Sequence, residues 1–248
     1  MTCEVAMQES LLMRILATLI LFTFLSFLFP ATIFSEVIVQ DRIALKGKEI
    51  MLSAETRGKL FTKGGEVIEF FVDGKPLGRS LSGGDGFAFK QFTPSKTGMY
   101  RITARSSREE GNGVLISLKK GRRIVFIDVE GTLFEGLLSA MPKKGSQEVI
   151  KKIAKRFPVV FLHTGLRSIK AIKTWLKENG FIDLPVILWG KGIIFDEIAE
   201  KGLKIKAVIG DQSVIESAKG YKPDSLSFED VEDAVEVKDW EEIGKKLK

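Results

Sequence analysis

Residues 124–127, Ile-Val-Phe-Ile, run without a break into Asp128, Val129, Glu130, Gly131 and Thr132. A short apolar run that stops at a glycine turn has the form of a strand buried on both faces, as in the interior of a parallel sheet. In such sheets the chemistry gathers where strands end at their carboxyl edge. Side chains alternate along a strand, so Asp128 and Glu130, two apart, can face one mouth. Gly131 lets the backbone turn away sharply, and Thr132 can hydrogen-bond locally to hold that turn. Two adjacent carboxylates at a strand end suit a nucleophile beside a general acid/base, or a hard-cation site. The plainer alternative is a buried strand followed by an acidic turn.

Beyond this point strand and helix patterns alternate, which argues for a doubly wound, Rossmann-like α/β parallel sheet over residues 121–248. Ser146 can cap a helix whose apolar face is Val149, Ile150, Ile153, Ala154 and Phe157, and Pro158 ends it. A second buried strand, 159–162, leads into His163, Thr164, Gly165, Leu166 and Arg167. A helix from Ser168 turns Ile169, Ile172 and Leu176 inward and stops at Asn179-Gly180. A third strand over 186–189 runs into Gly190-Lys191-Gly192, and a short helix covers 193–200. The fourth strand, 205–209, ends in Gly210-Asp211; a fifth spans 234–237, and a lysine-rich helix starts at Asp239. Three strand ends therefore deliver Asp128 with Glu130, Thr164 and Asp211 to one edge. Structural roles stand beside the functional ones: Thr164 as a strand-end cap, Lys191 as a surface lysine, Glu216 as a helix-face charge.

Residues 36–120 show a different rhythm, short alternating stretches cut by turn signals. Residues 66–72 run into Asp73-Gly74, a hairpin signal, and Asp85-Gly86 makes another turn before 87–92. Residues 98–104 alternate cleanly, and 113–118 close the series. The spacing suggests an antiparallel sandwich. The phrase Val72-Asp-Gly74, Leu77-Gly78, Asp85-Gly86 and Gly98-Met-Tyr100 resembles bacterial and archaeal immunoglobulin-like repeats, which implies an all-β immunoglobulin-like sandwich acting as a spacer or binding module.

Residues 1–35 hold an uncharged apolar run, Ile15 to Phe29, preceded by Arg14. As a helix it would be about 22 Å long, short of the roughly 30 Å hydrocarbon core. That form fits a signal-peptide core; uncleaved, Leu11 to Phe34 is long enough to serve as an anchor. The expectation is an exported chain, secreted or tethered to the outer face of the cell membrane. The single cysteine, Cys3, excludes a disulfide framework within one chain, and the single histidine, His163, excludes His-rich metal sites. The net charge of +6 comes from scattered lysines, which form a solvated surface and do not point to a nucleic-acid partner.

Asp128-Val-Glu130-Gly-Thr132, then Thr164, then Lys191, then Gly210-Asp211 with Glu216 resembles the ordered motifs of the haloacid dehalogenase-like phosphohydrolases over nearly all of residues 121–248. The resemblance implies a phosphatase acting through an aspartyl-phosphate. Asp128 would attack phosphorus, with Glu130 as general acid/base and Thr164 and Lys191 holding the phosphoryl oxygens. It further implies Mg²⁺ held by Asp128, the Glu130 carbonyl and Asp211, with Thr132 and Arg167 touching substrate. Lys201 and Lys204 also precede Asp211 and compete with Lys191 for its role. Glu130 stands where the superfamily usually has Asp. The stretches between the motifs are filled by regular elements, which implies a capless, open site. Thr174-Trp-Leu176 and Leu184-Pro185 look somewhat like the lipin-type branch. The implied substrate is a phosphorylated lipid head group, protein or sugar. The alternative is a non-catalytic phosphate- or phospholipid-binding surface protein with a degenerate domain of this kind.

Overall fold

The computed structural model describes residues 36–58, 62–107, 109–136 and 140–247. The chain changes sheets almost at once. β1 (Glu36–Val39) and β2 (Arg42–Leu45) are separated only by Gln40-Asp41, yet they belong to opposite layers of a sandwich. β1 pairs antiparallel with β3 (Ile50–Arg57), which also pairs with β6 (Phe87–Phe92). The facing sheet adds β4 (Val67–Val72), β5 (Lys75–Leu81), β7 (Gly98–Arg105) and β8 (Glu110–Leu118) in the order β2-β8-β7-β4-β5. Within it β2 runs parallel to β8, and the other neighbours are antiparallel. Asp73 and Gly74, both at positive φ, make the tight turn between β4 and β5 that the sequence announces. Alternate residues of the two sheets, among them Val39, Leu52, Ile68, Phe70, Ile102 and Leu115, close the sandwich core. Tyr100 is buried beside them; its hydroxyl accepts the Lys96 N–H at 2.8 Å and donates to the Lys96 carbonyl at 3.0 Å.

Leaving one sheet for the other strands backbone donors, and Asp41 supplies the missing acceptor. Its side chain is fully buried. One carboxylate oxygen accepts the Val114 N–H of β8 at 2.8 Å and the Lys173 ammonium at 2.6 Å. The other accepts the Val186 N–H at 2.7 Å, from the α/β half of the chain. Burial raises the Asp41 carboxyl above its ordinary value, against the pull of Lys173 and the two amides.

β9 (Arg123–Asp128) is buried from Ile124 onward. Val125 and Ile127 enter one apolar cluster, Ile124 and Phe126 the other, so the strand is covered on both faces. Around it lie β10 (Val159–His163), β11 (Val186–Leu188), β12 (Lys204–Ile209), β13 (Asp224–Ser227) and β14 (Val235–Glu236). They form one sheet in the order β11-β10-β9-β12-β13-β14, parallel at every pairing. The helices are α1 (Val129–Thr132), α2 (Ser146–Ala154), α3 (Ile169–Glu178), α4 (Ile193–Glu200), α5 (Gln212–Ala218) and α6 (Trp240–Lys246). One cluster holds the apolar faces of α2, α3 and α6; the other holds those of α4 and α5 together with Ile43, Ile116 and Leu118 of the sandwich. The expected boundary at residue 120 thus falls between β8 and β9, while residues on both sides share one core. Residues 35–248 form one compact unit.

Local details differ from the sequence reading in three places. Gly145, at positive φ, is the cap of α2, and the Ser146 hydroxyl donates instead to the Lys143 carbonyl at 2.7 Å. β13 has no apolar run to announce it, since Asp-Ser-Leu-Ser reads as a turn. β14 keeps only two residues of the expected fifth strand. The expected leader, 1–35, lies outside the described residues, among which no helix is long and apolar enough to cross a membrane.

Asp41→Ala leaves two buried amides and an ammonium without their acceptor. It should lower the unfolding free energy by roughly 3 kcal/mol, read as a lower urea midpoint for residues 35–248 with an unchanged slope.

Candidate active site

The strand order reverses beside β9: the chain moves outward through β10 to β11, then returns to β12 on the other side. Such a reversal leaves a crevice at the carboxyl ends of the two central strands. Asp128, the last residue of β9, and Asp211, just past β12, stand on either side of it. They come together. A methyl on Gly131 would collide with Asp128 Oδ2 and lie 3.4 Å from Asp211 Cβ, so only glycine fits between them. A methyl on Gly210 would press to 3.0 Å from Val214 Cβ and reach 3.6 Å from Asp128 Cβ.

Asp128 is completely buried, and neither of its carboxylate oxygens has a hydrogen-bond partner. Burial pushes its carboxyl up to about 7. The nearby amides of Gly131 and Asp211 pull the other way, while the Asp211 and Glu130 carboxylates add to the rise. Asp211 caps α5, its Oδ1 accepting the Val214 N–H at 3.0 Å. A buried carboxylate without a donor, beside a second carboxylate that spends one oxygen on a cap, is a donor set with the charge and hardness that a divalent cation requires.

Glu130 faces elsewhere. Its Oε2 accepts the Thr164 N–H at 2.6 Å and the Thr164 hydroxyl at 2.9 Å; its Oε1 accepts the Arg167 N–H at 3.2 Å. His163 Nδ1 lies 3.3 Å from Oε1 and 3.3 Å from the Gly165 nitrogen, so it donates to Glu130 in one tautomer and accepts from Gly165 in the other. Burial alone would raise the Glu130 carboxyl, but these bonds outweigh it and hold it at about 2.

This geometry corrects several sequence expectations. A carboxylate held ionised with both oxygens engaged cannot serve as the general acid expected of Glu130. The Thr164 hydroxyl is given to Glu130 and not to a phosphoryl group. The Glu130 side chain is engaged by the Thr164–Arg167 loop, which leaves untouched the expectation that its carbonyl faces a metal; among the described residues no three acidic, histidine or cysteine side chains gather as a metal cluster. Thr132 is buried and its hydroxyl donates to the Asp128 carbonyl, which fits the turn-holding role and removes it from substrate contact. The Arg167 guanidinium lies over the Phe134 ring, 4.4 Å from its centroid. Lys191 is exposed in the Gly190–Gly192 turn at φ 54, with no hydrogen bond or ion pair among the described residues. That turn packs on α5, where the Trp189 indole N–H donates to the Ser217 hydroxyl at 2.9 Å.

No protein-family model matches the chain. No curated protein matches it either. Solved structures do. A putative membrane anchored protein from Corynebacterium diphtheriae is similar at 18% identity and a TM-score of 0.30, over 36% of this chain and 22% of that one. An IG27 protein domain is similar at 12% identity and a TM-score of 0.29, over 35% and 99%. Fibronectin(III)-like modules of CbhA from Clostridium thermocellum reach 13% identity and 0.26, over 34% and 97%. The chain thus spans about a fifth of the first of these proteins. The last two are an immunoglobulin-type domain and fibronectin-type modules, and none of the three is described as haloacid dehalogenase-like or Rossmann-like. The expected resemblance to haloacid dehalogenase-like phosphohydrolases, with its capless and lipin-type refinements, is corrected: no family model or curated protein, and none of these three solved structures, carries it.

The pH dependence of Asp128 follows from its direction of shift. The folded chain holds this proton more tightly than the unfolded one, whose carboxyl has an ordinary value of 3.8. Stability is whole below about pH 4 and falls as pH rises towards 7, by on the order of a few kcal/mol. Asp128→Asn should therefore melt higher than the wild type at pH 8 in chelator and within a degree or two of it at pH 4.5; adding Mg²⁺ at pH 8 should narrow the gap. Equal melting temperatures at pH 8 in chelator would contradict the buried charge.

Proposed function

We propose that the chain is an exported, Mg²⁺-dependent phosphatase that hydrolyses a phosphate monoester through a phosphorylated Asp128. One observation carries this reading: a fully buried carboxylate with no hydrogen-bond donor, set beside Asp211 where the strand order reverses. A group so placed can act as a nucleophile, since only the nearby amides of Gly131 and Asp211 bear on its oxygens and no side-chain donor engages them. A bound Mg²⁺ would be held by the Asp128 and Asp211 carboxylates and would supply the positive charge that lets a carboxylate approach a phosphate. An Asp128 oxygen forms the new bond to phosphorus as the ester oxygen leaves with its electron pair and takes a proton from water. Water then cleaves the acyl phosphate, releasing inorganic phosphate and restoring the carboxylate. Glu130 holds the Thr164–Arg167 loop in place and takes no part in the proton transfer.

The sandwich is read as immunoglobulin-like and the parallel sheet as a Rossmann-like doubly wound domain. Residues 1–35 are read as a signal peptide or anchor that leaves the folded part secreted or on the outer membrane face. The substrate classes that fit are a phosphorylated lipid head group, protein or sugar. A second reading, a phosphate- or phospholipid-binding surface protein without turnover, is favoured by the engagement of Glu130 and Thr164 with each other.

Residues 35–248 should release p-nitrophenol from p-nitrophenyl phosphate with Mg²⁺ and not with chelator. Asp128→Asn should lower the rate at least about a thousandfold, and Thr132→Ser should keep most of it. A folded chain that binds Mg²⁺ yet turns over no phosphate ester would decide for the binding reading.

A further inference from the structure

A second cleft, of about 670 Å³, opens between the outer face of the β1-β3-β6 sheet and the β11–α4 edge of the parallel sheet. Its volume lies within the range of small-molecule sites, about 300–1,000 Å³. Neither Asp128 nor Asp211 lines it. Part of its lining is apolar, with Ile38 from β1, Met51 from β3, Leu188 at the end of β11 and Ile193 at the start of α4 beside charged and polar side chains. Met51, Leu188 and Ile193 are 43%, 56% and 61% exposed. A folded chain seldom leaves large aliphatic side chains grouped in one concavity unless something covers them.

By number the charges that line the cleft balance, three carboxylates against Arg42, Arg57 and Lys201, but Asp41 is answered by Lys173 from outside the lining. Each carboxylate that lines it has its own cation: Asp41 has Lys173, Glu55 has Arg57, and Glu197 has Lys201. Arg42 is left over. Its Nη2 donates to Gln40 Oε1 at 2.8 Å and Ser53 Oγ at 3.1 Å, both neutral. Its buried Nε has no acceptor, and its Nη1 has none among the described residues. The guanidinium is thus held in place by neutral oxygens, with a full positive charge and unused donors. A neutral apolar ligand would leave Arg42 unanswered, and a small anion would leave the aliphatic walls wet.

We propose that this cleft binds a single-chain amphiphile with a carboxylate head, the head on Arg42 and the hydrocarbon chain along Ile38, Met51, Leu188 and Ile193. An arginine suits such a head because its planar donors match a carboxylate, and the chain gains by leaving water. The cleft takes in neither Asp128 nor Asp211 and touches the crevice only through His163, so either reading can fail without the other.

The test is calorimetric titration of residues 35–248 with dodecanoate below its micelle concentration. Dodecyltrimethylammonium and acetate serve as probes of head charge and chain. Saturable one-to-one binding of dodecanoate is expected, with neither comparison compound binding measurably. Arg42→Met should weaken it about tenfold or more. Ile193→Asp, at an exposed helix start, should weaken it similarly while leaving the circular dichroism spectrum unchanged. Equal binding of the ammonium compound, an unchanged affinity in Arg42→Met, or no saturable heat with dodecanoate would overturn the proposal. Should Arg42→Met fail to fold, the comparison of head charges on the wild type and the Ile193→Asp result decide it.

Discussion

Burial of β9 on both faces is the constraint from which the architecture follows. A strand with no polar position between Ile124 and Ile127 cannot tolerate water on either side, so helices must cover both faces. One face is closed by α2, α3 and α6. The other is closed by α4, α5 and part of the sandwich, through Ile43, Ile116 and Leu118. The sandwich is consequently a wall of the α/β core as well as a domain with a core of its own. The same burial leaves the first polar residue, Asp128, at the mouth of the sheet and out of reach of solvent.

Three acids with buried side chains show how differently one problem can be met. Asp41 has three donors from three elements and ties them together. Glu130 has donors from a single loop and stays ionised at the cost of its freedom to exchange a proton. Asp128 has only the nearby amides of Gly131 and Asp211 to offset its burial, and burial prevails. A carboxylate that only holds structure gains nothing from lacking donors. The contrast between neighbours two residues apart therefore separates a carboxylate that organises the crevice from one whose burial is poorly compensated.

The central strand, the two acids flanking the crevice and the Asp73-Gly74 hairpin were legible because each is a local pattern with a physical cause. The helices expected from Ser168 and Asp239 do start there, and the structure adds that both residues cap them, accepting from Ala171 and Glu242. What was not legible depends on partners distant in the chain. Asp41 is an isolated acid between two strands, and only the fold shows the amides of Val114 and Val186 converging on it. Glu130 looks like a twin of Asp128 until β10 delivers Thr164 and His163 beside it. Thr132 was readable both as a turn clasp and as a substrate contact, and its burial decides for the clasp. β13, with one apolar residue in four, is a strand because β12 offers it an open flank.

The tie between Asp41 and Val186 has a further consequence for β11. With three residues, β11 ends the parallel sheet on that side. A terminal strand exposes amides that can recruit a strand from another molecule. The Asp41 carboxylate occupies the Val186 amide, so that outward donor is spent within the molecule. The acid that joins the two halves of the molecule thereby also caps the border of its sheet at that position.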